Sequence, residues 1–265
     1  MKKQILTCLC LAVLAISAFG QLAIKHPTVE NRRNPIGLDE AQPRFGWLID
    51  AGGRRNVMQS NYEIRVGTDA QALSKGKNLL WSSGRVKSDA SVWVAYGGPA
   101  LQPSSRYFWQ VRIWDSAGQV SLWSEVAFWQ TGLMDAANWK AKWIGLATRE
   151  DSLNWPSPMF RKEFSPKRRV KMATAYITAR GLYEAQINGQ RVGDAYLTPG
   201  WTAYQHRIQY QAYDVTKLLE SGDNAVGVTL GSGWYRSYLA WGNRRETYGK
   251  ELALLFQLDI EYADG

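Results

Sequence analysis

The chain is poor in the residues that crosslink a fold or hold a metal. Its 265 residues include two cysteines, Cys8 and Cys10, and two histidines, His26 and His206. Both cysteines lie in the first twenty residues, where Lys2 and Lys3 precede an apolar run from Ile5 to Ile16 that closes on Ser17-Ala18-Phe19-Gly20. Residues 1–20 have the form of a secretory signal, with an apolar part too short to span a bilayer. Neither cysteine follows the small residue that a lipid-attachment site requires, since Cys8 follows Thr7 and Cys10 follows Leu9. The exported chain, periplasmic or extracellular, would then hold no thiol, which excludes disulfides, thiolate catalysis and cysteine-bound zinc. Two distant histidines cannot supply the three or four ligands of a zinc site, so neither metal nor cofactor is expected.

Other absences narrow the function further. No second long apolar run follows the leader, so no membrane span is expected. The formal charge is +9, yet the basic residues gather only as Arg54-Arg55, Lys167-Arg168-Arg169 and Arg244-Arg245, without the broad patch that nucleic acid selects. No serine sits in a nucleophile elbow, and the acidic pair Asp39-Glu40 reads as a solvated turn.

What the chain has in quantity is aromatic mass, thirteen Trp and thirteen Tyr, in a sequence that is 45% apolar and able to bury a core. Large rings fill β-sandwich cores and also make flat platforms for sugars. Phe45, Trp47 and Ile49 alternate, as do Tyr62, Ile64 and Val66, and Tyr107, Trp109, Val111 and Ile113. Each set predicts one apolar face of a strand, and the regular alternation assigns this domain's tryptophans to its core. Residues 134–158, with Trp139, Trp143, Trp155, Pro156 and Pro158, read as an irregular linker packed on a neighbouring sandwich.

A second set of strands is predicted at 159–164, 170–177, 182–187, 190–192, 208–210, 225–230 and 251–262. Asn188-Gly189 predicts a type I′ hairpin turn, because that turn needs positive φ at both central residues. Asp214 to Leu219, ahead of Gly222, predicts one helical turn capped by Asp214 and bridging two sheets. The last strand alternates from Leu252 to Tyr262 and runs into Ala263-Asp264-Gly265, a turn with no return strand. A long apolar edge of that kind leads us to expect a piece of a longer protein.

The fold class expected is therefore all-β. Residues 21–133, with Tyr107-x-Trp109-x-Val111-x-Ile113, Asp115-x-x-Gly118 and Ser121-x-Trp123-Ser124, resemble a fibronectin type III sandwich. Residues 159–265, with Glu184-Ala185-x-Ile187-Asn188-Gly189, Tyr213-Asp214-Val215-Thr216 and Gly222-x-Asn224, look like the jelly-roll, galactose-binding-like domains at the front of several glycosidases, incomplete here at the C-terminus. Leu197-x-Pro199-Gly200-Trp201-Thr202-x-Tyr204, Leu230-Gly231-x-Gly233-Trp234-Tyr235-Arg236 and Trp143-Ile144-Gly145 narrow the resemblance to the N-terminal region of bacterial α-L-rhamnosidases, glycoside hydrolase family 78. That resemblance implies an enzyme that releases terminal α-L-rhamnosyl residues by inversion. It also implies that the acid and base carboxylates lie in a downstream α/α barrel. No catalytic residue is therefore assigned to this chain, which is expected to be inactive alone.

A supporting or substrate-recognition role is what remains, with rhamnose-containing carbohydrate and the downstream barrel as partners. Trp201 and Trp234 each follow a glycine in a loop, where a ring can stack on a sugar, and Tyr204, Tyr235, Arg236 and Asp194 are the candidate polar partners. The competing reading is that both rings plug the ends of the sandwich. Some modules in this family bind L-rhamnose beside calcium, as the resemblance implies. The nearest oxygen donors, Asp194, Asn188, Asp223, Asn224 and Asn243, lack the dense spacing of a self-contained calcium loop. A free-standing carbohydrate-binding module for rhamnose-containing glycans is the alternative function.

Overall fold

The computed structural model describes residues 21–146, 156–239 and 242–265. The expected leader, Trp155 of the linker and Trp241 lie outside the described residues. The chain divides into two compact units at Met134 and Asp135, each nearly all β.

Unit 1 is a sandwich of two sheets. Its strands are β1 (Ala23–Val29), β2 (Ile36–Leu38), β3 (Arg44–Asp50), β4 (Gln59–Gly67), β5 (Leu79–Ser82), β6 (Val86–Lys87), β7 (Val94–Ala95), β8 (Arg106–Asp115) and β9 (Ala127–Thr131). One sheet runs β1-β3-β7, and the other β2-β9-β8-β4-β5 with β6 also on β4. The alternating sets fall on β3, β4 and β8, and Phe45, Trp47, Ile64, Val66, Trp109, Val111 and Ile113 are buried together between the sheets. Phe45 and Trp109 pack with ring centroids 4.5 Å apart, and Trp129 stacks on Tyr107 at 5.2 Å.

The assignment of this unit's tryptophans to the core holds for Trp47, Trp109 and Trp129 and needs correction for others. Trp93 is 54% exposed, with the Arg44 guanidinium 3.9 Å above its ring. Trp114 and Trp123 lie half-buried in an alternating ladder, Arg85 on Trp114 (4.5 Å), Arg112 between Trp114 (5.0 Å) and Trp123 (4.7 Å), and Arg65 on Trp123 (4.0 Å). The segment carrying Trp123 forms no regular strand. Instead, Ser121 and Ser124 each meet β8 through one backbone and one side-chain bond: Ser121 N donates to Ile113 O while its Oγ accepts from Ile113 N, and Ser124 N donates to Val111 O while its Oγ accepts from Val111 N.

Unit 2 comprises β10 (Met159–Phe164), β11 (Val170–Arg180), β12 (Leu182–Ile187), β13 (Gln190–Arg191), β14 (Gln211–Asp214), β15 (Asn224–Gly231) and β16 (Ala253–Tyr262). Two sheets, β10-β15-β12-β13 and β14-β11-β16, close over Ala175, Ile177, Ile187, Val228, Leu230 and Leu254. Asn188 (φ 52°) and Gly189 (φ 76°) make the expected hairpin, with Ile187 opposite Gln190. The Asn188 amide also holds the neighbouring loop, donating to Leu218 O and Asn224 Oδ1 and accepting from Ala225 N.

Two expectations for unit 2 are corrected. Residues 208–210 are not a strand; pairing starts at Gln211, where Ile177↔Gln211 through Thr174↔Asp214 join β14 to β11. The helical turn spans Thr216–Leu218, and the chain is extended again at Leu219, before Gly222. The cap position of this turn is Val215, which makes no side-chain cap bond, rather than Asp214; Asp214, one residue earlier, accepts from Thr216 N, and the turn leads from the sheet of β14 to that of β15. Within the expected linker, Trp139 packs edge-on against Tyr176 and Tyr210, and Ile144 bridges Leu254 of β16.

Candidate functional site

Two loops of unit 2 bring Trp201 and Trp234 together. The first loop is bound to β12 at its base: Tyr183 N donates to Thr198 O, and Thr198 Oγ1 donates to Tyr183 O. Gln211 Nε2 donates to Pro199 O while its Oε1 accepts from Tyr183 Oη, and Tyr204 Oη donates to Gly200 O. With the carbonyls of Pro199 and Gly200 both held, the next residue, Trp201, has a fixed starting point. Gly200 itself sits at φ 100°, which a side chain would strain.

The second loop is the short helical turn Gly233–Arg236. Gly233 has φ 46°, and a Cβ there would lie 2.4 Å from Leu182 Cγ, so glycine lets this turn lie against β12. Trp234 leaves the turn to stack on Trp201, with ring centroids 5.8 Å apart and planes 6° from parallel. A pair that is parallel at this separation is offset-stacked, an arrangement worth about 0.5–1.5 kcal/mol beyond area burial. Trp201 is 55% exposed and Trp234 is half-buried, so Trp201 is the ring that solvent reaches more fully.

The remaining candidate residues occupy distinct layers. Tyr204 and Tyr235 are buried beside the pair, packed edge to face at 5.3 Å, and Tyr204 also meets Tyr248 at 4.9 Å. Arg236 is 1% exposed, with Nε on Ser232 Oγ and Nη1 on Lys250 O, so it ties the helical turn to the loop before β16. Asp194 is exposed, and its charge helps keep the Tyr213 hydroxyl protonated. Burial is the main cause of the raised pKa values of Tyr183, Tyr204 and Tyr213, and for Tyr183 the bond to Tyr213 adds to it. These phenols remain neutral hydrogen-bonding groups at physiological pH.

Tyr248 is the contributor that the sequence patterns did not single out. Its hydroxyl accepts from Trp201 Nε1 at 3.1 Å and so fixes the plane of the exposed ring from 47 residues away. The local signal was Gly249, where a Cβ would lie 2.1 Å from Tyr235 Oη and which marks close packing of that loop. Tyr196, under the Arg191 guanidinium at 4.1 Å, and Tyr238, under Arg245 at 4.9 Å, are further exposed rings on the same two loops.

Asn188 and Asn224, considered as calcium donors, already accept backbone N–H groups with their amide oxygens, from Ala225 and Glu220. Asp223 accepts from Ser165 Oγ at 2.6 Å. Among the described residues no three His, Cys, Asp or Glu side chains converge on a metal position. His206 is exposed in a turn, and Asp39 accepts from Met134 N.

Comparison with known proteins places both units. Residues 24–135 match the Rha78A-like N-terminal immunoglobulin domain, and residues 168–265 match the α-L-rhamnosidase N-terminal domain. An α-L-rhamnosidase of Formosa agariphila is 36% identical over 91% of this chain and 27% of its own length. Another, from Alteromonas sp. (strain LOR), is 36% identical over 96% of this chain and 29% of its own. The crystal structure of the Streptomyces avermitilis α-L-rhamnosidase complexed with L-rhamnose superposes with a TM-score of 0.83 at 27% identity, covering 92% of this chain and 40% of that one. The chain thus spans less than a third of the length of the curated relatives it matches first, and it aligns with their N-terminal part.

Proposed function

The chain belongs to the α-L-rhamnosidase family, as its N-terminal immunoglobulin-like and rhamnosidase N-terminal domains, and on that footing we propose that it serves the enzyme without cleaving the bond itself. Its role is to support the catalytic domain and to offer a ring platform to rhamnosyl groups. The observation that carries this reading is the Trp201–Trp234 stack, a flat aromatic surface backed by a second ring and exposed on one member. A 6-deoxyhexose has apolar C–H faces suited to such a surface. Tyr204, Tyr235 and Arg236 tie down the loops that carry the pair, and Asp194 is an exposed carboxylate of the first loop that can take sugar hydroxyls.

Among the described residues, the two carboxyls with displaced pKa values, Glu30 and Asp50, are unsuited to act as a glycosidase acid. Glu30 is lowered chiefly by its hydrogen bond to Arg44, and Asp50 chiefly by its bond to Lys25. A glycosidase acid needs the opposite displacement, a carboxyl kept protonated near neutral pH. The same reading takes residues 1–20 as an export signal and the enzyme as working outside the cytoplasm.

The test has two arms. On an aryl α-L-rhamnoside the chain is expected to show no turnover above that of a Trp201→Ala/Trp234→Ala double variant; turnover above that background would overturn the non-catalytic assignment. In a tryptophan-fluorescence titration with L-rhamnose, Trp201→Ala is expected to lower affinity at least tenfold. Unchanged affinity in that variant would remove the platform.

A further inference from the structure

Away from the aromatic loops, unit 2 has a groove of about 440 Å³ between the β10–β11 connection and the segment that leads into β15. One wall carries Lys167, Arg168 and Arg169; the other carries Thr216, Glu220 and Ser221. Both walls are fixed by backbone bonds. On the basic wall, Lys167 N donates to Tyr262 Oη and Arg169 O accepts from Ala263 N. Arg168 is committed to Asp264 at 2.8 Å. On the other wall, Asn224 accepts from Glu220 N and donates to Glu220 O and Gly222 O. Ser165 Oγ bonds Asp223 Oδ1 and joins the two segments that form the walls.

On these fixed walls, several side chains are uncommitted. Among the described residues Lys167 and Arg169 make no ion pair or side-chain hydrogen bond, and both are exposed. The Glu220 carboxylate and the Ser221 hydroxyl are likewise exposed. With the backbone of both segments held, an anion has only the Lys167 and Arg169 side chains to order, and an acceptor and a hydroxyl opposite them suit the hydroxyls of a sugar ring. The volume falls within the roughly 300–1,000 Å³ range of small-ligand sites. Leaving out Lys2 and Lys3 of the expected leader, thirty basic residues against 23 acidic ones add long-range attraction for a polyanion.

We propose that this groove is a second ligand site, which takes the charged group of an anionic saccharide, a uronate carboxylate or a sulfate ester, on Lys167 and Arg169. It works independently of the Trp201 platform, so that the enzyme can hold an acidic glycan at one place and a rhamnosyl group at another.

Calorimetric titration of the chain with D-glucuronate, D-glucose 6-sulfate and D-glucose tests the proposal. Binding of either anion without binding of glucose supports it, and which anion binds decides between carboxylate and sulfate. The affinity is expected to fall with added salt and to drop at least tenfold in Lys167→Ala/Arg169→Ala, while Trp201→Ala leaves it unchanged. Glu220→Gln, which removes the opposing charge and no packing, is expected to raise it severalfold. Equal binding of glucose, binding that survives the double substitution, or no binding of either anion would overturn the site.

Discussion

At the scale of single residues, this protein uses aromatic rings for three different purposes, and a ring's polar atom helps show which. Trp201 donates its indole N–H to Tyr248 and keeps a face exposed, which suits a platform. Trp123 lies between guanidinium groups on an outer face and serves as a spacer in a ladder. Tyr96 is a core ring, packed between Trp81 at 5.2 Å and Trp129 at 6.0 Å, yet its hydroxyl is buried with no hydrogen-bond partner among the described residues. Burial pushes that hydroxyl's pKa up to about 12. A buried donor left unsatisfied costs about 1–3 kcal/mol, so deleting it while keeping the ring should not destabilise the fold. We expect Tyr96→Phe to leave stability unchanged or to raise it by about 1 kcal/mol in urea denaturation. A loss of more than about 1 kcal/mol would mean that the hydroxyl has a partner, such as a buried water.

At the scale of elements, the glycines of unit 2 separate turns that need only a backbone conformation from turns that also need room. Gly189, at φ 76°, has nothing within 4 Å of where a methyl group would sit, whereas Gly233, at φ 46°, would drive a methyl group into Leu182. Gly189→Ala should therefore cost about 1 kcal/mol, the penalty of a left-handed alanine. Gly233→Ala should cost about 2–3 kcal/mol, because Leu182 must also move and the core tolerates added volume poorly. Thermal melts of the two variants check the order; equal losses would show that the Gly233 turn has slack, and that the Trp234 ring is less firmly placed than its stacking geometry implies. The same contrast bears on what the sequence could reveal. Asn188-Gly189 was legible because a type I′ turn is a local event, and β10 and β12 fall on their expected residues because alternation is local too. Strand β14 was misplaced by a few residues because Ile208, Tyr210 and Ala212 continue one alternation. Its start is set by pairing with β11, more than thirty positions away in the chain.

At the scale of the whole molecule, each unit has its own core. The aromatic cluster around Phe45, Trp109 and Trp129 belongs to unit 1, and the aliphatic one around Ile177, Ile187 and Leu230 to unit 2. The all-β class and the family were legible, since strand alternation and the two Gly-Trp loops are written in short stretches. The layering of the site was not. Nothing near Trp201 marks Tyr248 as its partner, and nothing near Arg236 marks it for burial, because both depend on how the loop before β16 folds back over the helical turn. Unit 1 is self-sufficient by the same logic. Its two sheets bury Phe45, Trp47, Trp109 and Trp129 among themselves, and its polar edges are closed internally, as where Asp39 receives Met134 N and Arg44 grips Glu30 through two guanidinium bonds. A core of that kind supports cooperative folding of a domain of about 110 residues. We therefore expect residues 21–134, expressed alone, to unfold in a single two-state transition, with coincident near-UV and far-UV signals. A non-cooperative melt, or a near-UV spectrum lacking the aromatic bands of the full chain's first unit, would show that this core needs covering by something outside it.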